Sequence, residues 1–305
     1  MKGLVVTQGT DTAEFGTAWY RGPHTNFIAS KKNLTEPNAI DDYFLKGWVP
    51  EKPFVTRKTA ITSFGSCFAQ EVMKYLGARG YTLLGTDLGD QIQLVRIREG
   101  IMNTFATLQQ FQWALVRKNF AEDLWFTPDR RLVKASEDVR DTTERLIRGT
   151  DLFIITLGVS EIWYNKSTGE VFWRAIPVNR FDEKVHGFRV STVEENYRNI
   201  EGIRHLVRKH MPNASLVFTL SPVPLMATFR PVSCITASTV SKAVLRVAID
   251  EFMRNHSNDD KLFYFPAYEI VKEYFRDAYE DDNRHPTPDV IATVMRAFER
   301  HYCVP

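Results

Sequence analysis

The chain has 305 residues, 44% of them hydrophobic and 25% charged, with a formal net charge of +2. That is long enough for a sizeable core. The charge is too mild, and its basic residues too scattered among the aromatics, for a nucleic-acid partner. Cys67, Cys234 and Cys303 lie too far apart for a metal-ligand pair or a disulfide framework, and no metal site is expected. No apolar run approaches the roughly 18 residues of a transmembrane helix, and the N-terminus lacks the apolar core of a signal peptide, so the expected location is the cytoplasm.

Residues 1–57 are rich in turn-formers (Gly22-Pro23, Pro37-Asn38, Pro50, Pro53) and read as an arm laid on a single domain formed by 58–305. Strand and helix patterns then alternate. A buried strand is expected over 61–64, a helix over 68–79, a short strand over 81–84, a loop-rich stretch over 86–106, a helix over 108–116, an irregular stretch over 120–134 and a charged helix over 137–147. The run 151–157, Asp-Leu-Phe-Ile-Ile-Thr-Leu, is the clearest buried strand. A hairpin over 162–174, turning at Asn165-Lys166-Ser167-Thr168-Gly169, comes next. The remaining expectations are a helix over 193–210, a strand over 215–220, a helix over 240–254, a strand over 262–265 and a closing helix over 288–301. About five short apolar strands separated by helices imply an α/β fold, a parallel sheet covered on both faces with loop and hairpin insertions.

In such sheets ligands sit beyond the carboxyl ends of the strands. That rule selects Gly65, Ser66 and Cys67 after the first strand, Gly158, Val159, Ser160 and Glu161 after the middle one, and Ser221 to Pro224 after the next. Ser66 stands where a strand turns into a helix, a place that favours a developing anion and suits a nucleophile. It reads equally as a simple helix cap. Cys67 is either a thiol activated by the same helix end or a residue packed under the turn. Asp282 and His285, in Asp-x-x-His, can present a carboxylate that fixes the tautomer of a general base; His285-Pro286-Thr287-Pro288 also reads as a plain helix-start signal. Glu161 offers a carboxylate at the cleft rim, for a sugar hydroxyl, for acid catalysis or merely solvated. Ser241-Lys242 suggests a dyad, but adjacent helical residues do not face each other, and Lys242 points instead to an anionic substrate.

Gly-Ser after the first strand and Asp-x-x-His before the last helix resemble the SGNH (GDSL-type) hydrolases. The more specific resemblance is to the GSCFA family, whose name is the string Gly65-Ser66-Cys67-Phe68-Ala69 as it stands here. Further similar segments are Asn103-Thr104-Phe105, Thr156-Leu157-Gly158, Leu220-Ser221-Pro222-Val223-Pro224, Ser241-Lys242 and His285-Pro286, so the likeness covers roughly 55–300. The resemblance implies a flavodoxin-like three-layer α/β/α fold and a Ser-His-Asp acyl-transfer site: Ser66 as nucleophile, His285 as base, Asp282 as its orienter. It also implies an oxyanion hole with Gly and Asn donors. The segment matching Gly-x-Asn-Asp reads Gly158-Val159-Ser160-Glu161, with Ser in the Asn position, and Asn103 is the candidate replacement. Losing such a donor costs on the order of 100–1000-fold in rate.

The resemblance further implies work on surface polysaccharide, within a biosynthetic complex. The expected activity is therefore an esterase or O-acyltransferase, acting on acyl groups such as acetyl carried by a glycan or its precursor. No cofactor is required; acetyl-CoA is the expected acyl donor if the reaction is transfer. The rival expectation is a catalytically inactive domain that binds a glycan or a partner. A third reading makes Cys67 the nucleophile.

Overall fold

The computed structural model describes residues 4–8, 11–15, 25–65, 67–86, 103–120, 124, 136–173 and 176–305. β1 (Leu4–Gln8) and β2 (Asp11–Phe15) form an antiparallel pair. A 3-10 turn at Asn33–Thr35 and a π-turn at Asp41–Leu45 lead to β3 (Ile61–Phe64) and α1 (Cys67–Gly77). There follow α2 (Thr104–Leu115), α3 (Glu137–Arg148), β4 (Leu152–Leu157), β5 (Glu161–Asn165), β6 (His186–Val190), α4 (Val193–His210), β7 (Ser215–Leu220), α5 (Cys234–Asn255), β8 (Leu262–Tyr264), the one-turn α6 (Ala267–Glu269) and α7 (Pro288–Tyr302).

β3, β4, β7 and β8 pair in that order, all parallel. Outside β3, Leu83 makes a single parallel bridge to Ile61, with Ile61 N–H donating to Thr82 O and Leu84 N–H to Ile61 O. Counting that segment, the chain order across the sheet is 2-1-3-4-5, the flavodoxin-like arrangement. The strand expected over 81–84 is thus one bridge at an edge: Gly80, with φ +77°, turns the chain into it, and Gly85, with φ +72°, turns it out again.

Every residue of β4 and β7 is buried, which is why both read as uninterrupted apolar runs. Their side chains still alternate between two cores. Phe153, Ile155, Leu157, Phe218 and Leu220 join one with residues of α2, α3, α4 and α5; Leu152, Ile154 and Val217 join the other with α1 and α7. These are the three layers. Phe64, Phe111 and Phe153 tie β3, α2 and β4 together at centroid distances of 5.2–6.4 Å, each contact adding about 0.5–1.5 kcal/mol beyond burial. Leu45 and Val55, from the segment before β3, are buried in the second core, and Val55 bridges Cys303.

Three expectations are corrected in extent. α2 begins at Thr104 rather than 108, because Asn103 caps it and its first turn buries small polar residues that carry no apolar period. α5 begins at Cys234 rather than 240, its first turns being largely exposed. The turn at 165–169 forms, with Asn165 Oδ1 accepting from Ser167 and Thr168 N–H, but the returning arm makes only the Tyr164–Val171 bridge. The ladder partner of β5 is β6, where Gly187 leaves room for the Tyr164 ring: a Cβ there would lie 2.5 Å from it. The loop stretch 87–102 and most of the irregular stretch 120–134 lie outside the described residues.

Candidate active site

The carboxyl end of the sheet is where buried polar residues collect. β3 stops at Gly65, whose φ of +154° and whose closeness to Thr156 (a Cβ would meet Thr156 Cβ at 2.5 Å and Ala69 Cβ at 2.6 Å) admit no side chain. α1 starts two residues later at Cys67, a half-buried free thiol. Ser66 itself lies outside the described residues.

Asp282 and His285 are brought together. The Nδ1 of His285 bonds Asp282 Oδ2, while Asp282 Oδ1 accepts the N–H groups of Arg284 (2.9 Å) and His285 (3.0 Å). The His285 N–H, its ring and then the Arg284 N–H hold the Asp282 carboxyl down at about 2. Asn283 turns the loop through a left-handed conformation with φ +55°, which Asn tolerates. The turn is stapled by Glu280 N–H to His285 O and Thr287 N–H to Ala278 O, and docked on the end of β7 by Tyr279 Oη, which donates to Pro222 O at 3.0 Å. Thr287 then caps α7, with Pro288 in its first turn. Nε2 of His285 has no hydrogen-bond partner among the described residues, and the side chain is half-exposed.

Asn103 is wholly buried. Its Oδ1 accepts Ala106 N–H at 2.8 Å as the cap of α2, which leaves Nδ2 without a partner among the described residues. An unsatisfied buried donor costs about 1–3 kcal/mol until an acceptor arrives. A chain of buried hydrogen bonds ties this helix start to the end of β4. Thr104 Oγ1 donates to Asn196 Oδ1 (2.7 Å), Asn196 Nδ2 to Ser191 Oγ (2.8 Å), and Ser191 Oγ to Ser160 O (2.8 Å).

Ser160 N–H in turn donates to Ser241 Oγ at 2.8 Å, and Lys242 Nζ to the carbonyl of buried Gly158 at 2.9 Å. Ser241 and Lys242 are therefore no dyad; the pair clamps the loop after β4, one hydrogen bond each. Ser160 Oγ is buried without a partner among the described residues. Glu161, the first residue of β5, is buried and accepts from Thr228 Oγ1 at 2.7 Å, a satisfied carboxylate rather than a solvated one. Ser221 N–H donates to Leu157 O, and its Oγ accepts from Val223 N–H, so Ser221 shapes the end of β7. Ser191, Asn196, Tyr279 and Arg284 escape a reading by sequence: each carries an ordinary surface-type side chain, and only Asn196, in the first turn of a capped helix, had a local signal. Among the described residues no three His, Cys, Asp or Glu side chains gather as metal ligands.

Among solved structures the chain is similar to a family 3 carbohydrate esterase from Talaromyces cellulolyticus (9% identity, 79% of this chain and 95% of that one, TM-score 0.35). It is also similar to a salicylyl-acyltransferase from a tetracycline biosynthetic pathway (13%, 80% and 54%, 0.39) and to an acetyl xylan esterase from the rumen bacterium Butyrivibrio proteoclasticus (16%, 81% and 63%, 0.35). Likeness this distant carries no weight for the chemistry, which rests on the residues above. No curated protein matches the chain. The sequence model of the GSCFA family matches residues 60–298, most of the chain and both ends of the candidate site, and the protein belongs to the GSCFA family.

Proposed function

We propose that the protein is an ester-acting enzyme, an esterase or O-acyltransferase, in which Ser66 is the nucleophile. The observation that carries this reading is the His285–Asp282 pair. One ring nitrogen is fixed on a carboxylate that is itself held by two backbone N–H groups, and the other is free, on a protein whose β3 ends in Gly65-Ser66. Ser66 Oγ attacks the acyl carbonyl as His285 Nε2 takes its proton. The tetrahedral oxyanion is met by Asn103 Nδ2 and by backbone N–H at the start of α1. The leaving group, the alcohol of an ester or the thiol of an acyl-CoA, then takes the proton from His285, and water or a sugar hydroxyl, deprotonated by the same imidazole, resolves the acyl-enzyme. No cofactor enters these steps; transfer draws on an acyl donor such as acetyl-CoA.

A sugar-bearing substrate, within polysaccharide biosynthesis, is supported by an aromatic wall. Trp163, Phe188 and Phe229 stand 5.0–5.5 Å apart, Phe229 is 64% exposed, and the Thr228–Glu161 bond fastens the Phe229 segment to the start of β5, which carries Trp163. Apolar ring faces of this kind suit the C–H faces of a pyranose. Three free cysteines agree with a cytoplasmic setting, and no helix among the described residues is long and apolar enough to cross a membrane.

A serine-directed fluorophosphonate tests the reading. The expected result is an adduct on Ser66 that is lost in Ser66→Ala and His285→Ala. No adduct on a folded protein replaces the enzyme by a binding module, the reading that Ser160 in place of Asn favours. Turnover that survives alkylation of Cys67 by iodoacetamide removes that thiol as the nucleophile.

A further inference from the structure

Beyond the end of β7, between the first turns of α5 and the segment 268–284, lies a cavity of about 330 Å³. Its walls include Lys242, Lys272 and Arg284, against one carboxylate, Asp282, which is already held by His285 and by two backbone N–H groups. Lys242 is 4% exposed; it donates one hydrogen bond, to Gly158 O, and has no carboxylate within ion-pair distance among the described residues. The Nε of Arg284 is buried with no partner among the described residues. Lys272 lies 5.4 Å from the centre of the Tyr279 ring and likewise has no ion pair among the described residues.

Elsewhere the half-buried arginines are matched. Arg204 and Arg208 share Asp259, Arg246 holds Glu269 and Arg189 holds Glu195. The acidic residues of the cavity's own segment, Glu273, Asp277, Glu280 and Asp281, are exposed and outside its lining. A buried cation without a counter-ion is costly, and here buried Lys242 shares one cavity wall with half-buried Arg284 and exposed Lys272, a positive wall from which the anion is missing.

We propose that this cavity binds a phosphate group of the substrate or acyl donor and so sets the ester against His285. Three cations opposite one engaged carboxylate favour a dianionic phosphate or a diphosphate over a single carboxylate. Burial pulls the Lys242 amine down to about 7, and a bound anion would favour its charged form. Two sources share this chemistry, the phosphates of an acyl-CoA and those of a nucleotide-linked or phosphorylated sugar. The purpose of the cavity rests on the serine-ester reading; the binding itself does not.

Isothermal titration of the full chain with pyrophosphate, coenzyme A and uridine diphosphate, against glucuronate as a monoanion, tests it. The expected result is saturable binding of at least one phosphate probe, weakened about tenfold or more in Arg284→Gln and Lys272→Gln and unchanged in Arg254→Gln at the opposite end of the sheet. Coenzyme A tighter than uridine diphosphate assigns the site to the donor, the reverse to the sugar precursor. Absence of binding by any phosphate probe at millimolar concentration overturns the proposal, as does binding equal in wild type and both variants, or glucuronate binding as tightly as the phosphates. Lys242→Met is read only after circular dichroism shows it folded. Phosphate binding without a fluorophosphonate adduct removes the serine reading and leaves the cavity standing; an adduct without phosphate binding does the opposite.

Discussion

The two ends of the sheet are built on opposite terms. The amino end holds the larger hollow, about 900 Å³ beside Trp48, Asp151 and Asp259, yet both of these carboxylates are held by partners. Asp259 takes Arg204 and Arg208 at 2.8–2.9 Å together with Lys261 N–H, and Asp151 accepts Ala60 N–H. Against the cost of burial, Arg208 and then Arg204 hold the Asp259 carboxyl below its ordinary range. At the carboxyl end the hollow is smaller and the polar groups are left over: Asn103 Nδ2, Ser160 Oγ, Arg284 Nε, His285 Nε2 and most of the Lys242 ammonium. Volume alone would select the end away from the proposed site. Buried polar atoms without a partner among the described residues, which folding tolerates only at a cost, occur at both ends, His210 Nε2 at the amino end among them. It is their number together with the His285–Asp282 pair that marks the carboxyl end.

The contrast breaks first at the serine. Ser66→Ala or His285→Ala should lower the rate on an activated acetyl ester on the order of 10⁴–10⁶-fold with the unfolding midpoint little changed. Equal rates in wild type and variants would remove catalysis from this end. Next, Asn103→Ser retains a good helix cap but removes the amide donor. It should cost about 100–1000-fold in kcat with KM nearly constant, and a change confined to KM would take Asn103 out of the oxyanion hole.

At the amino end, Asp259→Asn should cost about 2–4 kcal/mol in urea unfolding, because two guanidiniums lose their carboxylate, while fluorophosphonate labelling stays intact. Lost labelling would couple the two ends. The smallest effect is a slope. The Lys242 amine is lowered from 10.5 to about 7, so between those values the unfolded chain holds a proton that the native one lacks. Wild-type stability should therefore rise with pH across that window, by on the order of 1 kcal/mol per unit from this group, relative to Lys242→Met in phosphate-free buffer. Parallel curves would mean that Lys242 is charged and paired.

Much of the frame was legible in the chain. Buried runs such as Leu152–Leu157 and Ser215–Leu220 announce central parallel strands, because nothing but a doubly covered sheet takes six apolar or small residues in a row. Gly65-Ser66 and Asp-x-x-His were visible because a turn without space and a short loop with two partners are local demands. Asn103 was named through the family pattern; its free Nδ2 was not foreseeable, since it depends on Ala106 N–H claiming Oδ1.

What the sequence by itself determined is where strands, helices and their chemistry-bearing ends fall, since periodicity and turn chemistry act over a few residues. Only the tertiary structure decided which polar groups go unpaired. Ser160 is clamped from α5, 81 residues away, Lys242 reaches Gly158 across 84, and Arg284 Nε is left without a partner among the described residues beside a cavity. Satisfaction of a buried group is a property of everything packed around it, and that neighbourhood exists only once the layers have closed.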